Sequence, residues 1–243
     1  MTKQLQRNGF KINNQFANHK RVLRIMRENS LLCDIKKLFS TTDSDHSFQK
    51  YSNILKKNLR IVRPDQVWAS DITYIRLPTE FVYLAVIIDV FTRKIIGYCL
   101  SRNIDKELAI TALKMAIETR KIGNACQTLI HHSDQGVQYC SHDYTNLLKI
   151  HNIRISMSNP GCPWQNGFVE SFFKTLKTNE VYLSDYQNIW DAKQNLFKFI
   201  NQTYNQERLH SALGYVPPQE FEEKWREKNV KNYDQTAFVT VLR

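Results

Sequence analysis

The stretch Asn166-Gly-Phe-Val-Glu-Ser-Phe-Phe-Lys-Thr-Leu-Lys177 has the spacing of a helix with two distinct faces. Its apolar residues recur at i, i+3, i+4 and i+7, the stripe that a surface helix buries against a core. A polar stripe lies about a quarter-turn away. The apolar stripe consists of Val169, Phe172, Phe173 and Leu176, and the polar stripe of Asn166, Glu170, Lys174 and Lys177. Taken alone, the polar stripe is better explained by ordinary pairing of surface charges.

Upstream of this helix the sequence predicts a mixed β-sheet. Residues 67–75 and 81–89 are rich in β-branched and aromatic residues, and the second run is continuously apolar, as is typical of a strand buried on both faces. Further strands are predicted at 95–100, 128–132 and 153–156, and helices after Asp105, over 141–151 and over 187–203. The element order predicts an α/β fold, a five-stranded mixed sheet with helices on its faces.

Positive charge is concentrated at the N-terminal end of the chain. Residues 1–60 carry 13 Lys/Arg against 4 Asp/Glu, whereas the remaining 183 residues carry 21 against 19. A basic arm on a nearly neutral body indicates a polyanionic partner, most simply a nucleic acid. The alternative is a basic soluble protein without such a partner.

Residues 18–32 of this arm predict an amphipathic helix with Asn18 as its N-cap. Lys20, Arg24 and Arg27 share one face, which fits contact with a DNA backbone and equally fits a solvated surface. We therefore divide the chain into four parts: a basic helical segment (1–39), a linker (40–60), a core (61–224) and a C-terminal tail (225–243).

The five cysteines are scattered and form no C-x-x-C pair. This pattern predicts reduced thiols in a cytosol and argues against a zinc finger. The sequence shows neither a secretory leader nor a run of 18 apolar residues, so we expect a cytoplasmic protein that does not span a membrane.

Two aspartates have unusual settings in the predicted sheet. Asp71 lies inside a strand-like run, where a buried carboxylate is costly unless it is paired or bound to a metal. Asp134 directly follows a strand, and strand ends of open α/β sheets commonly carry functional side chains. A structural hydrogen-bonding role for Asp71 and a turn role for Asp134, two residues before Gly136, are the respective alternatives.

Together with Glu170, these aspartates would place three carboxylates at a sheet centre, a strand end and a covering helix. Such a group raises its own pKa values unless a cation is present. Magnesium takes oxygen ligands and binds one or two carboxylates plus substrate phosphates. Two such ions support phosphodiester chemistry. Lys177, two turns beyond Glu170, could hold a phosphate nearby.

Several motifs together resemble a known family. They are Trp68-x-x-Asp-x-Thr-Tyr, His132-Ser-Asp-x-Gly-x-Gln-Tyr, the 35 residues that separate Asp134 from Glu170, and the tail Tyr204-Asn-Gln-Glu-Arg-Leu-His-Ser-Ala-Leu-Gly-Tyr-Val-Pro-Pro218. Their order and spacing resemble the DDE transposases of the insertion-sequence-3 family, which are related to retroviral integrases. The resemblance covers roughly residues 18–222.

The resemblance implies an RNase H-like core in which Asp71, Asp134 and Glu170 bind two Mg²⁺ or Mn²⁺ ions. It implies hydrolysis at a transposon end and then attack of the freed 3′-hydroxyl on target DNA. It also implies a homo-oligomer on DNA and a possible helix-turn-helix partner from an upstream reading frame. The expected DNA contacts are Lys177, Lys174, Asn166, Gln138, Tyr139, Lys20, Arg24 and Arg27.

Other residues near these motifs receive weaker interpretations. Trp164 could stack on a splayed base or belong to the core. We expect His132 to be structural and Asp89 to be a hairpin residue. Arg208 and His210 match the family tail without a defined role.

The N-terminal region departs from the family pattern. In this family a Tyr-Gly-Tyr-Arg-Arg-like segment usually precedes the basic helix, and this chain carries only part of that helix-turn-helix unit. The leading hypothesis is a transposase. The alternatives are a shortened relic that binds DNA without completing transposition, and a general nuclease of the same fold, which the spacing of the carboxylates and the tail motif disfavour.

Overall fold

The N-terminal part is a small helical unit with a short hairpin, in a computed structural model that describes residues 1–12, 15–31, 46–55, 59–122 and 128–240. Its elements are α1 (Thr2–Arg7), β1 (Lys11–Ile12), β2 (Gln15–Phe16) and α2 (His19–Glu28). Asn18 caps α2 as predicted, because its Oδ1 accepts a hydrogen bond from the Lys20 backbone N at 2.9 Å. Helix α2 is shorter than the predicted 18–32. Arg7 pairs with Glu220, which ties this unit to the C-terminal part of the chain.

A five-stranded sheet forms the centre of the protein, with strand order β5-β4-β3-β6-β7. Its strands are β3 (Val67–Arg76), β4 (Phe81–Asp89), β5 (Ile95–Ser101), β6 (Ile130–Ser133) and β7 (Arg154–Met157). The β3–β4 and β4–β5 pairs are antiparallel, whereas β3–β6 and β6–β7 are parallel. The predicted mixed sheet is therefore confirmed, and each strand boundary lies within two residues of its predicted position.

Helices cover both faces of the sheet. They are α3 (Lys106–Arg120), α4 (Val137–Cys140), α5 (His142–Ile150), α6 (Gly167–Leu176), α7 (Ile189–Lys198) and α8 (Pro218–Thr240). Because side chains alternate along a strand, Trp68 packs with α3 and α5, whereas Val67 and Ala69 pack with α6 and α7. The predicted apolar stripe of α6 is buried in the core between the sheet and helices α6 and α7. Both α6 and α7 continue into wider π-helical turns, at Lys177–Val181 and Phe199–Glu207.

The described part of the predicted linker, residues 46–55, packs against the core. The Ile54 backbone N donates to Ser156 Oγ at 3.1 Å, and Asn53 Nδ2 donates to Gln165 Oε1 at 2.8 Å. Residues 40–45 and 56–58 of that linker lie outside the described ranges. The predicted boundary at residue 225 lies inside α8, so the structure shows a continuous helix there.

A buried arginine joins three distant parts of the fold. Arg120, at the end of α3, has a side chain that is 5% exposed. Its Nε lies 3.2 Å from Asp65 Oδ1, and its guanidinium also pairs with Asp89 and with Glu222 of α8. Three carboxylates thus compensate a desolvated cation, which fixes the first turns of α8 on the core. None of the helices in the described ranges has the length and apolarity that crossing a membrane requires.

A buried histidine makes the stability of this core dependent on pH. His131 lies against Tyr144, with ring centroids 5.5 Å apart and its Nε2 atom 2.8 Å from the tyrosine hydroxyl. Complete burial, with a smaller contribution from neighbouring His132, lowers the pKa of His131 to about 3.

We expect the double variant His131→Phe/Tyr144→Phe to lose stability less steeply on acidification than the parent. The folded-state pKa of His131 lies below the 6.5 of an exposed imidazole. The stability linked to the neutral ring is therefore complete above pH 6.5 and falls as the pH falls towards 3, by up to about 1.4 kcal/mol per pH unit. Urea unfolding of both proteins across this range measures the two slopes. Equal slopes would contradict the prediction.

Candidate active site

Asp71 lies on β3, and Asp134 directly follows the end of the neighbouring strand β6. In the parallel register of β3 and β6, Ala69 is opposite His132. Extension of this register by two residues brings the two aspartates to the same level and the same face. Neighbouring strands are roughly 4.8 Å apart, so the two carboxyl groups are close neighbours. Both residues are half-buried.

Each aspartate also makes a local hydrogen bond. Asp71 Oδ1 accepts from the Ile72 backbone N at 2.8 Å, and Asp134 Oδ1 accepts from the Gly136 backbone N at 2.9 Å. The turn role that the sequence allowed for Asp134 is therefore present. It uses one carboxylate oxygen, so it is compatible with a further role for this side chain.

Glu170 lies in the first turn of α6, the helix that packs on β3. The helix is fixed on one side by its buried apolar stripe and at its start by Asn166, whose Nδ2 donates to the Ser70 carbonyl oxygen at 2.9 Å. Because Ser70 directly precedes Asp71, this bond holds the start of α6 beside the aspartates. The Glu170 side chain is exposed, and partial desolvation raises its pKa.

The pKa of Asp71 depends on both of the other carboxylates. Desolvation, followed by the charge of Asp134 and then that of Glu170, raises the pKa of Asp71 to about 8. The hydrogen bond from Ile72 and the charge of Lys177 act in the opposite direction. The protein's own groups therefore disfavour a fully ionised triad, and a nearby cation would offset the repulsion.

Lys177 lies beneath the surface, where its helix has widened into π-helical turns. The residue is 6% exposed, and its Nζ atom sits 4.4 Å from the centroid of the Tyr74 ring. Burial lowers the pKa of Lys177, while the charge of Asp71 raises it. Tyr74 is the last residue of the Trp68-x-x-Asp-x-Thr-Tyr motif, which by itself predicts no role for it. Its aromatic face is a favourable neighbour for the lysine ammonium.

The three carboxylates are residue types that fit a divalent metal. Carboxylate oxygens are the ligands that Mg²⁺ prefers, and Asp71, Asp134 and Glu170 supply them from three different elements. Within the described ranges, no three His, Cys, Asp or Glu side chains stand close enough together to hold a metal ion in this conformation. The exposed Glu170 side chain is the one of the three with room to change rotamer.

The predicted DNA-contacting residues fall into two groups. Lys174, Lys20, Arg24 and Arg27 are exposed, and Lys174 lies on the same edge of α6 as Glu170. The other four are less accessible than expected for residues on the substrate side: Tyr139, Asn166 and Lys177 are buried, and Gln138 is half-buried. Tyr139 is 3% exposed and packs on Tyr144, Asn166 is 4% exposed, and the Gln138 amide donates to the Ile104 carbonyl oxygen at 3.1 Å.

The structure also bears on the predictions made for Trp164, His132 and Asp89. Trp164 is 70% exposed, so the core alternative for it is wrong. His132 Nδ1 lies 2.9 Å from Ser156 Oγ in the interior, in keeping with a structural role. Asp89 is a turn residue as expected, because its Oδ1 accepts from the backbone N atoms of Phe91 and Thr92, each at 2.9 Å.

Known proteins share most of this chain. Residues 62–163 and 151–218 each match an integrase core domain family. Transposase InsF for insertion sequence IS3A from Escherichia coli (strain K12) is 37% identical over 208 residues, covering 85% of this chain and 71% of that protein. An uncharacterized 31 kDa protein of insertion element IS600 from Shigella sonnei is 35% identical over 208 residues, covering 85% of this chain and 75% of that protein.

Solved structures share the fold at low sequence identity. The simian T-cell lymphotropic virus intasome in complex with PP2A regulatory subunit B56 gamma matches with a TM-score of 0.54 at 18% identity, covering 91% of this chain and 70% of that one. The trimeric form of the HTLV-2 integrase catalytic core domain in complex with magnesium matches with a TM-score of 0.50 at 18% identity, covering 67% and 99%. The predicted RNase H-like, integrase-type core is thereby confirmed.

We expect Asn166→Ala to lower the free energy of unfolding by about 1–3 kcal/mol, because it leaves the buried Ser70 carbonyl without its donor. Asn146→Ala, on the exposed face of α5, is the matched control and should change stability by less than about 0.5 kcal/mol. Urea unfolding measures both variants. An effect of Asn166→Ala as small as that of the control would contradict the anchoring role.

We also expect Mn²⁺ or Mg²⁺ to raise the melting temperature of the parent and to have a much smaller effect on Asp71→Asn. A ligand at 100 times its Kd stabilises the folded state by about 2.7 kcal/mol, and removal of a ligand carboxylate raises that Kd. Glu118→Gln, an exposed carboxylate on α3 at the other face of the sheet, is the control and should keep the full shift. A full metal-induced shift in Asp71→Asn would contradict this assignment.

Proposed function

Because this chain belongs to the insertion-sequence-3 family of transposases and carries an integrase core domain, we propose that it cleaves DNA at transposon ends and joins them to target DNA. The observation that supports the proposal is that Asp71 on the central strand β3 has its pKa raised by the charges of Asp134, just after β6, and of Glu170, in the first turn of α6.

Each carboxylate has a defined part in this proposal. Asp71 on β3 and Asp134 at the end of β6 would form a pair of ligands for two Mg²⁺ or Mn²⁺ ions. Glu170 completes the set from the covering helix, and its exposed side chain adjusts when metal and DNA arrive. When bound, the ions would activate an attacking oxygen and stabilise the leaving oxygen of a phosphodiester.

Two lysines and a tryptophan provide the substrate side of the site. Lys174 is exposed beside Glu170 and is placed to meet a DNA phosphate. Lys177 is buried against Tyr74, so it would act on a phosphate that enters the carboxylate edge and not on the outer DNA backbone. Trp164, exposed just before α6, offers a flat surface for an unpaired base.

The basic arm would extend the DNA contact. Lys20, Arg24 and Arg27 lie on an exposed face of α2, where they neutralise backbone phosphates without reading sequence. Because transposition joins two DNA ends, we propose that the protein acts as a homo-oligomer on DNA. Recognition of the ends would be shared with a helix-turn-helix protein from an upstream frame, and the reaction would occur in the bacterial cytoplasm, on nucleoid DNA.

We expect Glu170→Gln to reduce strand transfer by more than about 100-fold, because the change removes a metal-ligand charge and keeps the side-chain size. A strand-transfer assay with labelled transposon-end DNA and Mn²⁺ provides the measurement. Glu118→Gln should retain parental activity, since that residue lies on the opposite face of the sheet.

Two results would overturn parts of the proposal. Equal activity of Glu170→Gln and the parent would remove Glu170 from the catalytic set. A parent that binds end DNA without cleaving or joining it would identify the protein as a DNA-binding relic of the family.

A further inference from the structure

A cavity lies against α6, on a different face of the helix from Glu170. Its volume is ≈ 330 Å³, near the lower end of the range for ligand pockets. Phe168, Ser171 and Thr175 of α6 form one wall, and the family tail, including Arg208 and His210, forms another. Ser171 directly follows Glu170, and successive helical side chains point about 100° apart. One helix therefore faces the triad with one edge and this cavity with another.

Two half-buried arginines converge on this cavity. Arg93 lies in the turn between β4 and β5, with its guanidinium carbon 4.1 Å from the centroid of the Phe168 ring. Arg208 belongs to the motif at residues 204–218. Desolvation lowers the pKa of both guanidinium groups. In the described part of the chain, no carboxylate oxygen lies within 4 Å of either guanidinium. Two desolvated guanidinium groups thus share one cavity, and neither forms an ion pair with a carboxylate of the described residues. The charge of Asp89 acts on Arg93 from beyond 4 Å.

The surroundings of the arginines are rigid. The Tyr204 ring is buried edge-on between Phe172 and His210, with centroid separations of 4.7 and 4.9 Å. The His210 backbone is fixed by hydrogen bonds to both the Val216 carbonyl oxygen and the Tyr215 backbone N. The His210 Nε2 atom is buried and has no hydrogen-bond partner among the described residues. A well-packed cavity lining that includes a buried polar atom without a hydrogen-bond partner is consistent with a ligand site.

The ligand class follows from charge and shape. Burial and the two arginine charges lower the pKa of His210 to about 4, so the cavity carries two positive charges near neutral pH. Arginine binds phosphate oxygens in a two-pronged geometry that suits phosphodiester recognition. The hydroxyl groups of Ser171, Thr175 and Ser211 on the cavity wall add neutral donors of the type that contact DNA backbones.

The position of the cavity identifies which phosphate it would hold. A helix is roughly 10 Å wide, and duplex DNA rises about 3.4 Å per nucleotide along its axis. A strand that lies over α6 with its reacting phosphate at the carboxylates would therefore bring a backbone phosphate about three nucleotides away to this cavity.

We propose that this cavity, the arginine pocket of Arg93, Arg208 and His210, binds one backbone phosphate of the DNA strand that enters the carboxylate site. The pocket holds the strand at a second point, which orients the reacting phosphodiester. This inference rests on the proposed function, since it takes DNA to be the substrate.

The test is the salt dependence of DNA binding. Fluorescence anisotropy with a labelled duplex of arbitrary sequence, across a KCl series, gives the slope of log K against log salt concentration. Loss of one phosphate contact lowers the magnitude of this slope by about 0.9. We expect that decrease for the double variant Arg93→Gln/Arg208→Gln, a change in the same direction for Arg208→Gln alone, and a slope close to that of the parent for Arg208→Lys.

Arg154→Gln is the matched control, because Arg154 is exposed on the edge strand β7 and forms no ion pair with another described residue. Thermal unfolding of each variant checks that a changed slope belongs to a folded protein, and the single variant replaces the double one if the latter does not fold. An unchanged slope in folded arginine-pocket variants would overturn the pocket, and so would an equal decrease in slope for Arg154→Gln. The proposed function would still stand if the parent cleaves DNA. A parent without salt-dependent DNA binding would overturn both.

Discussion

The hydrogen bond from the Asn166 amide to the Ser70 carbonyl is the contact on which the functional geometry depends. It is buried between α6 and the central strand, one residue before Asp71. An apolar stripe alone would hold the helix on the sheet and would allow it to slide or rotate, because hydrophobic packing is non-directional. The hydrogen bond is directional, and its loss would leave a buried carbonyl unsatisfied. It therefore determines where Glu170 stands relative to the aspartates.

Helix α6 separates two opposite electrostatic environments. On one side, burial and the charges of Asp134 and Glu170 raise the pKa of Asp71. On another, two arginines that form no ion pair with the described residues share a cavity. The protein alone compensates neither environment fully. A divalent cation complements the first and a phosphate complements the second, and a DNA backbone with its metal ions supplies both. The same helix positions both environments, so its placement couples them.

Arg120 shows how a structural arginine differs from those of the arginine pocket. Its buried guanidinium pairs with Asp65, Asp89 and Glu222, and these contacts join α3, the β4 turn and α8. A buried arginine that contributes to stability needs such acidic partners, because an uncompensated buried charge is costly. Arg93 and Arg208 form no ion pair with the described residues, and only the charge of Asp89 acts on Arg93 from beyond 4 Å, which fits a binding role better than a structural one.

The sequence by itself determined the sheet and the helix caps, and it predicted the three carboxylates. Alternating and continuous apolar runs specify strands locally, Asn18 and Asp105 cap their helices through neighbouring backbone N atoms, and the spacing of the carboxylates is a property of the chain. The tertiary structure alone decided which polar residues are buried and which distant residues meet. Lys177 turns inward where its helix widens, and Arg93 meets Arg208 across more than a hundred residues. Periodicity describes the faces of one element, whereas burial depends on what packs against it.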